Sequence, residues 1–145
     1  MKRMFFEYLY EGMSSHKGVK FVGKEITFYS DFSGDTNSIH VGSNPVVPGA
    51  LILFKIAGLV SKKFADKSMV TEIVSKFKRP LFLGERVFAI FKIAKKICVG
   101  SERGTIILDI HIRNNRNKLL FVGGCKVKVP TIEMRQTTTT AIAVR

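Results

Sequence analysis

The sequence predicts an α+β domain in which a curved antiparallel sheet wraps around one central buried helix. Two observations carry this. Residues 50 to 64 form a run that is apolar on nearly every face for about three helical turns, and four later segments alternate with a period near two. A helix without a polar face has to be covered from several sides. In a chain of 145 residues only a sheet curling around it can supply that cover.

The size supports a single domain. With 46% apolar residues the chain can bury a core, and no Pro/Gly/Ser-rich or single-sign stretch marks a linker. One domain is expected over residues 1–130, followed by a loosely held tail, 131–145, that includes four consecutive threonines, Thr137 to Thr140.

The opening Met-Lys-Arg-Met-Phe-Phe stops at Glu7, too soon for the apolar region of a secretory signal. The longest apolar run is interrupted by Lys55 and falls well short of the ~20 residues that span a bilayer. A soluble protein without membrane insertion is expected. Cys98 and Cys125 fit neither a disulfide framework nor a metal-ligand spacing, so they read as two free core thiols in a reducing cytoplasm, with no metal site. The 24 Lys and Arg against 11 Asp and Glu leave a net charge of +13, which attracts anions of any kind. The basic residues are spread along the chain without a nucleic-acid-binding signature, so a nucleic-acid partner is not expected.

In order, residues 24 to 33 alternate, with Ile26, Phe28, Ser30 and Phe32 opposite Glu25, Thr27, Tyr29 and Asp31, and are read as a half-buried strand. Ser33 to Pro48 is rich in Gly, Asn, Asp, Ser and Pro and reads as an extended loop. The apolar helix follows Pro48-Gly49, with Lys62 and Lys63 at its negative end. Segments 70 to 79, 86 to 98, 104 to 113 and 118 to 129 read as strands, the last two joined as a hairpin by Asn114-Asn115-Arg116-Asn117. One central helix in a wrapped antiparallel sheet is the hotdog arrangement. Such a sheet leaves an open edge, so a homodimer is the expected state.

Two features carry chemistry. Asp35 and His40 place a carboxylate and an imidazole on one glycine-containing loop leading into the buried helix, an acid/base pair able to hold a water and move its protons. Taken alone, the same residues are equally an Asx-type turn and a structural histidine. Gly49, at the helix start, has a backbone amide without an intrahelical partner and no side chain to block an approaching carbonyl, although Pro48-Gly49 is also simply a helix start.

The run Phe32-Ser33-Gly34-Asp35-Thr36-Asn37-Ser38-Ile39-His40 resembles the Ser-Gly-Asp-x-Asn-Pro-Ile-His signature of MaoC-like dehydratases and (R)-specific enoyl-CoA hydratases, with Ser38 in place of the proline. Phe77 to Val87 is similar to that family's Phe-x-x-Pro-x-x-x-Gly-Asp-x-Val segment, and Asn114 to Gly124 to its closing hairpin. Between His40 and Leu51 the chain looks more like FabZ-type hydroxyacyl-carrier-protein dehydratases, whose helix carries a catalytic glutamate five residues after the glycine. Here that position is Phe54.

The resemblance implies a hydro-lyase that adds water to, or removes it from, an acyl thioester on coenzyme A or acyl carrier protein. It implies no other cofactor. Asp35 and His40 would be the catalytic pair, the Gly49 amide the oxyanion donor, and Asn37 and Ser33 supports. Lys78 and Arg79 are candidate contacts for carrier phosphate. Two other readings remain: a hotdog thioesterase in which Asp35 activates water toward the carbonyl carbon, and a basic binding module without catalysis.

Overall fold

Apolar residues at helical spacing between Pro48 and Phe64 form the long helix α2 (Gly49–Lys63) in a computed structural model that describes residues 3–136. The other elements are β1 (Ser14–Val19), α1 (Gly23–Ser33), β2 (Met69–Phe77), β3 (Val87–Cys98), β4 (Arg103–Asn114) and β5 (Leu119–Pro130). The strands make one sheet in the order β1-β3-β4-β5-β2, with every neighbouring pair antiparallel.

Alternation explains β3 to β5. Val87, Ala89, Phe91 and Ile93 of β3 and Ile106, Leu108, Ile110 and Ile112 of β4 are buried together against Ile52, Ile56 and Val60 of α2 in a single core. The expected hairpin between β4 and β5 is present. The Asn114 side-chain oxygen accepts from the amides of Arg116 and Lys118, and Asn117 takes the left-handed φ of 59° that asparagine tolerates.

Midway along β5 the chain needs two glycines. A Cβ at Gly123 would lie 2.3 Å from the Val74 carbonyl oxygen on β2, and one at Gly124 would lie 2.6 Å from the Leu108 carbonyl oxygen on β4. Close backbone approach of this kind is one established use of glycine within strands.

Four expectations need correction. Residues 24 to 33 are not a strand but lie in helix α1. Their alternation is incidental: the covered side chains are Glu25, Ile26, Tyr29 and Ser30, a helical stripe, while Phe28 and Phe32 are exposed and stack on each other one turn apart at 6.1 Å. The helix has its own punctuation, since the Val22 amide donates to the Glu25 carboxylate at 2.9 Å and Gly34 closes the end at φ 76°.

The second correction concerns α2, which is not covered on every face. Leu51, Ile52, Ile56 and Val60 face the core, but Phe54 is 56% exposed, because a five-stranded open sheet reaches only one side of the rod. The third concerns the set of expected strands, which does not include β1. Its sequence Ser-Ser-His-Lys-Gly-Val has one apolar residue, and pairing with β3 makes it a strand.

The fourth concerns the thiols. Cys125 is buried, and burial pushes its thiol up to about 12, but Cys98 is exposed at the end of β3. A thiol reagent at mildly alkaline pH is therefore expected to titrate Cys98 in the native protein and Cys125 only on unfolding. Simultaneous reaction of both would contradict this packing.

Of the tail expected over 131–145, residues 137–145 lie outside the described residues. Thr131 is buried and its amide donates to Glu102 O at 2.8 Å, residues 132–136 are helical, and the Ile132 amide donates to the Glu7 carboxylate at 3.1 Å. Among the described residues no helix is long and apolar enough to cross a membrane, and no cluster of His, Cys, Asp and Glu could hold a metal ion.

Candidate active site

The end of α1 positions the first candidate residue. Gly34 reverses the chain, the Ser33 hydroxyl donates to Tyr29 O at 2.7 Å and accepts from the Asp35 amide at 3.2 Å, and the Asp35 Oδ1 accepts from the Asn37 amide at 3.1 Å. Asn37 in turn caps the short 3-10 turn Ser38–His40 by accepting from the Ile39 amide at 3.2 Å. Each side chain thus fixes the backbone amide two residues on, which is how Asx and Ser turns hold a loop. Ser33 and Asn37 are supports for Asp35 in this structural sense.

That turn brings His40 under the loop and buries it to 9% exposure, with Nε2 3.5 Å from Asp35 Oδ2. Asp35 keeps 33% of its side-chain surface exposed. On the far side of the ring, Nδ1 lies 2.7 Å from the Val46 carbonyl oxygen. A carbonyl only accepts, so Nδ1 carries a hydrogen and Nε2 is left to exchange protons with the carboxylate or a water. The Tyr29 hydroxyl donates to the same Asp35 Oδ2 at 3.3 Å.

Val46 is itself held. Its amide donates to Ile39 O at 2.8 Å, while Val47 donates to Leu81 O at 2.7 Å and Leu83 to Pro45 O at 2.9 Å. These bonds tie the loop before α2 to the segment between β2 and β3.

His40 and Gly49 line the same cavity, of about 350 Å³, with Ile39, Val47, Ile52 and Phe77. Gly49 is the first residue of α2, after a Pro48 that makes no side-chain cap, so its amide sits at the positive end of the helix dipole. The glycine also makes room for the Phe77 ring. A Cβ there would lie 2.8 Å from the Phe77 ring.

No protein-family model and no curated protein matches this chain. Solved structures do. R-hydratase PhaJ1 from Pseudomonas aeruginosa aligns with a TM-score of 0.79 at 14% identity, over 89% of this chain and 87% of that one. An (R)-hydratase from A. caviae involved in PHA biosynthesis aligns at 0.74 and 22% identity, over 86% and 99%. A MaoC-like dehydratase from Rhodospirillum rubrum aligns at 0.74 and 12% identity, over 88% and 97%. A Mycobacterium tuberculosis protein described as a double hotdog fold aligns at 0.73 and 13% identity, over 89% of this chain and 44% of that one. The chain has the hotdog fold.

Within the hotdog, the elements expected to meet do meet: Asp35 with His40, and His40 with Gly49 across one cavity. Lys78 and Arg79 line that cavity too, the Arg79 guanidinium donating to Leu119 O at 2.9 Å. Phe54 does not. It lines a separate groove of about 700 Å³ with Phe28 and Lys24 of α1.

Sequence reasoning missed Tyr29, the Val46 carbonyl and Phe77 as parts of this site. Tyr29 was read as a strand residue, and it meets Asp35 because α1 is a helix that ends at Gly34. The Val46 contact is a backbone one and leaves no trace in residue type.

Proposed function

We propose that this protein is a MaoC-like hydratase that interconverts trans-2-enoyl and (R)-3-hydroxyacyl thioesters carried on coenzyme A or acyl carrier protein. The observation that carries the reading is the Asp35–His40 pair at 3.5 Å, its imidazole oriented by the Val46 carbonyl and lining, with Gly49 at the start of α2, one cavity.

In the hydration direction, a water held between His40 Nε2 and Asp35 Oδ2 adds its oxygen to the β-carbon of the enoyl group and gives a proton to the pair. The pair returns one proton to the α-carbon, so water is added with no net change in the protein. Two close titrating groups share that proton, and the acid and base roles belong to them jointly. Charge developing on the thioester oxygen is met by the Gly49 amide, a preorganised donor of a kind worth about 3 kcal/mol in other enzymes. Lys78 and Arg79 at the cavity suit an anionic carrier.

A homodimer belongs to the same reading. The edge strand β2 has unpaired backbone along its outer side and exposes Met69 and Val74 on one face, a surface for a second copy to cover. Residence in the cytoplasm is in keeping with the two unpaired cysteines.

The test is to offer crotonyl and longer enoyl groups on coenzyme A and on carrier protein and to follow the conjugated absorbance. Its loss, with an (R)-3-hydroxyacyl product, is expected. Release of free thiol from saturated acyl thioesters without loss of conjugation would replace the hydratase by a thioesterase.

A further inference from the structure

At the end of α2 away from Gly49, the chain buries a second ionisable group. Lys63 is 9% exposed, and its ammonium donates to the Ser15 hydroxyl on β1. Among the described residues it has no carboxylate partner, and burial pushes its amine down from the ordinary lysine range. A lysine kept inside a protein without a counter-ion is costly, and a methionine or leucine would fill the same space more cheaply.

Lys63 does not face solid protein. With Arg3, Ser15, His16, Lys17 and Lys62, and with Leu59 and Phe91 as apolar wall, it lines a cavity of about 430 Å³ between β1 and α2, and no acidic side chain lines that cavity. Arg3 reaches Asp66 at 3.3 Å, both of them exposed. Lys17 and Lys62 are exposed, whereas Ser15 and Lys63 lie deeper. The cations thus form a graded funnel that ends on an ammonium and a hydroxyl.

We propose that this cavity binds the phosphate group of a small phosphomonoester, with Lys63 and Ser15 as the inner donors and Lys17 and Lys62 closing over the outer oxygens. A carboxylate has one charge and two oxygens and would leave most of these donors unmet. A dianion with three free oxygens can engage ammonium groups from several directions, and lysine serves phosphate well as a point charge. The cavity is larger than a phosphate alone needs, which leaves room for the organic part of the ester. This cavity shares no lining residue with the one at His40, so the site is separate from the proposed catalytic one.

Calorimetric titration of the full chain with inorganic phosphate, in chloride buffer at low ionic strength, tests the proposal. Saturable binding of one phosphate per chain is expected, with acetate failing to compete. Lys63→Met is expected to weaken binding about ten- to a hundredfold, the usual range for losing a charge-assisted hydrogen bond. Lys118→Gln, on the distant β4–β5 turn, should leave it unchanged. Equal affinity in wild type and Lys63→Met would overturn the site, because it would mean diffuse attraction by the surface charge. If Lys63→Met does not fold, Ser15→Ala and the wild-type titration still decide. Ser15→Ala should bind several-fold more weakly, and either no saturable binding in wild type or unchanged affinity in Ser15→Ala would overturn the proposal.

Discussion

Asp35→Asn is expected to lower kcat/KM for enoyl-thioester hydration by about a thousandfold, within the range typical of a lost acid/base group and equivalent to ~4 kcal/mol of barrier. The substitution keeps the shape of the side chain and an oxygen for the Asn37 amide, so the loop should hold. What it removes is the carboxylate facing His40 Nε2. An amide can accept a hydrogen bond there but cannot take a proton, and turned the other way its NH2 would occupy the imidazole lone pair. His40→Asn should cost a similar factor, and the double variant little more than either alone, since the two act as one unit. Enoyl hydration in Asp35→Asn within tenfold of wild type, with an unchanged circular dichroism spectrum, would sink the pair as the catalytic centre.

The largest effect on stability is expected at the glycine pair of β5. Gly124→Val would place its Cβ 2.6 Å from the Leu108 carbonyl oxygen, and that oxygen belongs to a strand paired residue by residue with β5. A side chain can swing away from a clash, but a ladder carbonyl moves only with its strand. A cost of roughly 3 to 5 kcal/mol follows, a large share of the ~5 to 15 kcal/mol that holds a domain of this kind together. The urea midpoint should fall by about 2 M at an ordinary slope. Gly58 supplies the contrast, since it sits in α2 with nothing within 4 Å of where a Cβ would stand. Gly58→Ala should stabilise by about 0.5 to 1 kcal/mol, through helix propensity alone. Equal midpoints for Gly124→Val and wild type would show that β4 and β5 are not packed this closely.

The sequence revealed those parts of the fold whose side chains carry a period. β3, β4 and β5 alternate because one face is core, and α2 stood out because Leu51, Ile52, Ile56 and Val60 recur among other apolar residues. Helix α1 was misread because Ile26, Thr27, Phe28 and Tyr29 favour strands and happen to alternate, while the signals that decide are at its ends, at Glu25 and Gly34. Strand β1 had no signal to give: a polar edge strand exists through its partner's hydrogen bonds. At the candidate site, Asp35, His40 and Gly49 were legible as residue types on one loop and helix start. Tyr29 depended on the misread helix, and the register of Val46 against His40 depends on where the loop is pinned by Leu81 and Leu83.

The bond between His40 Nδ1 and the Val46 carbonyl has a consequence for how this site can be lost. The acceptor is main chain, so no exchange of the side chain at position 46 deletes it, and an alanine scan would pass over it in silence. What can delete it is a change in length. One residue inserted or removed between His40 and Pro48 would slide a different carbonyl, or none, under the imidazole while Asp35 and His40 stayed in place. Inheritance of the site therefore rests on the spacing of this loop as much as on the identity of its two polar residues.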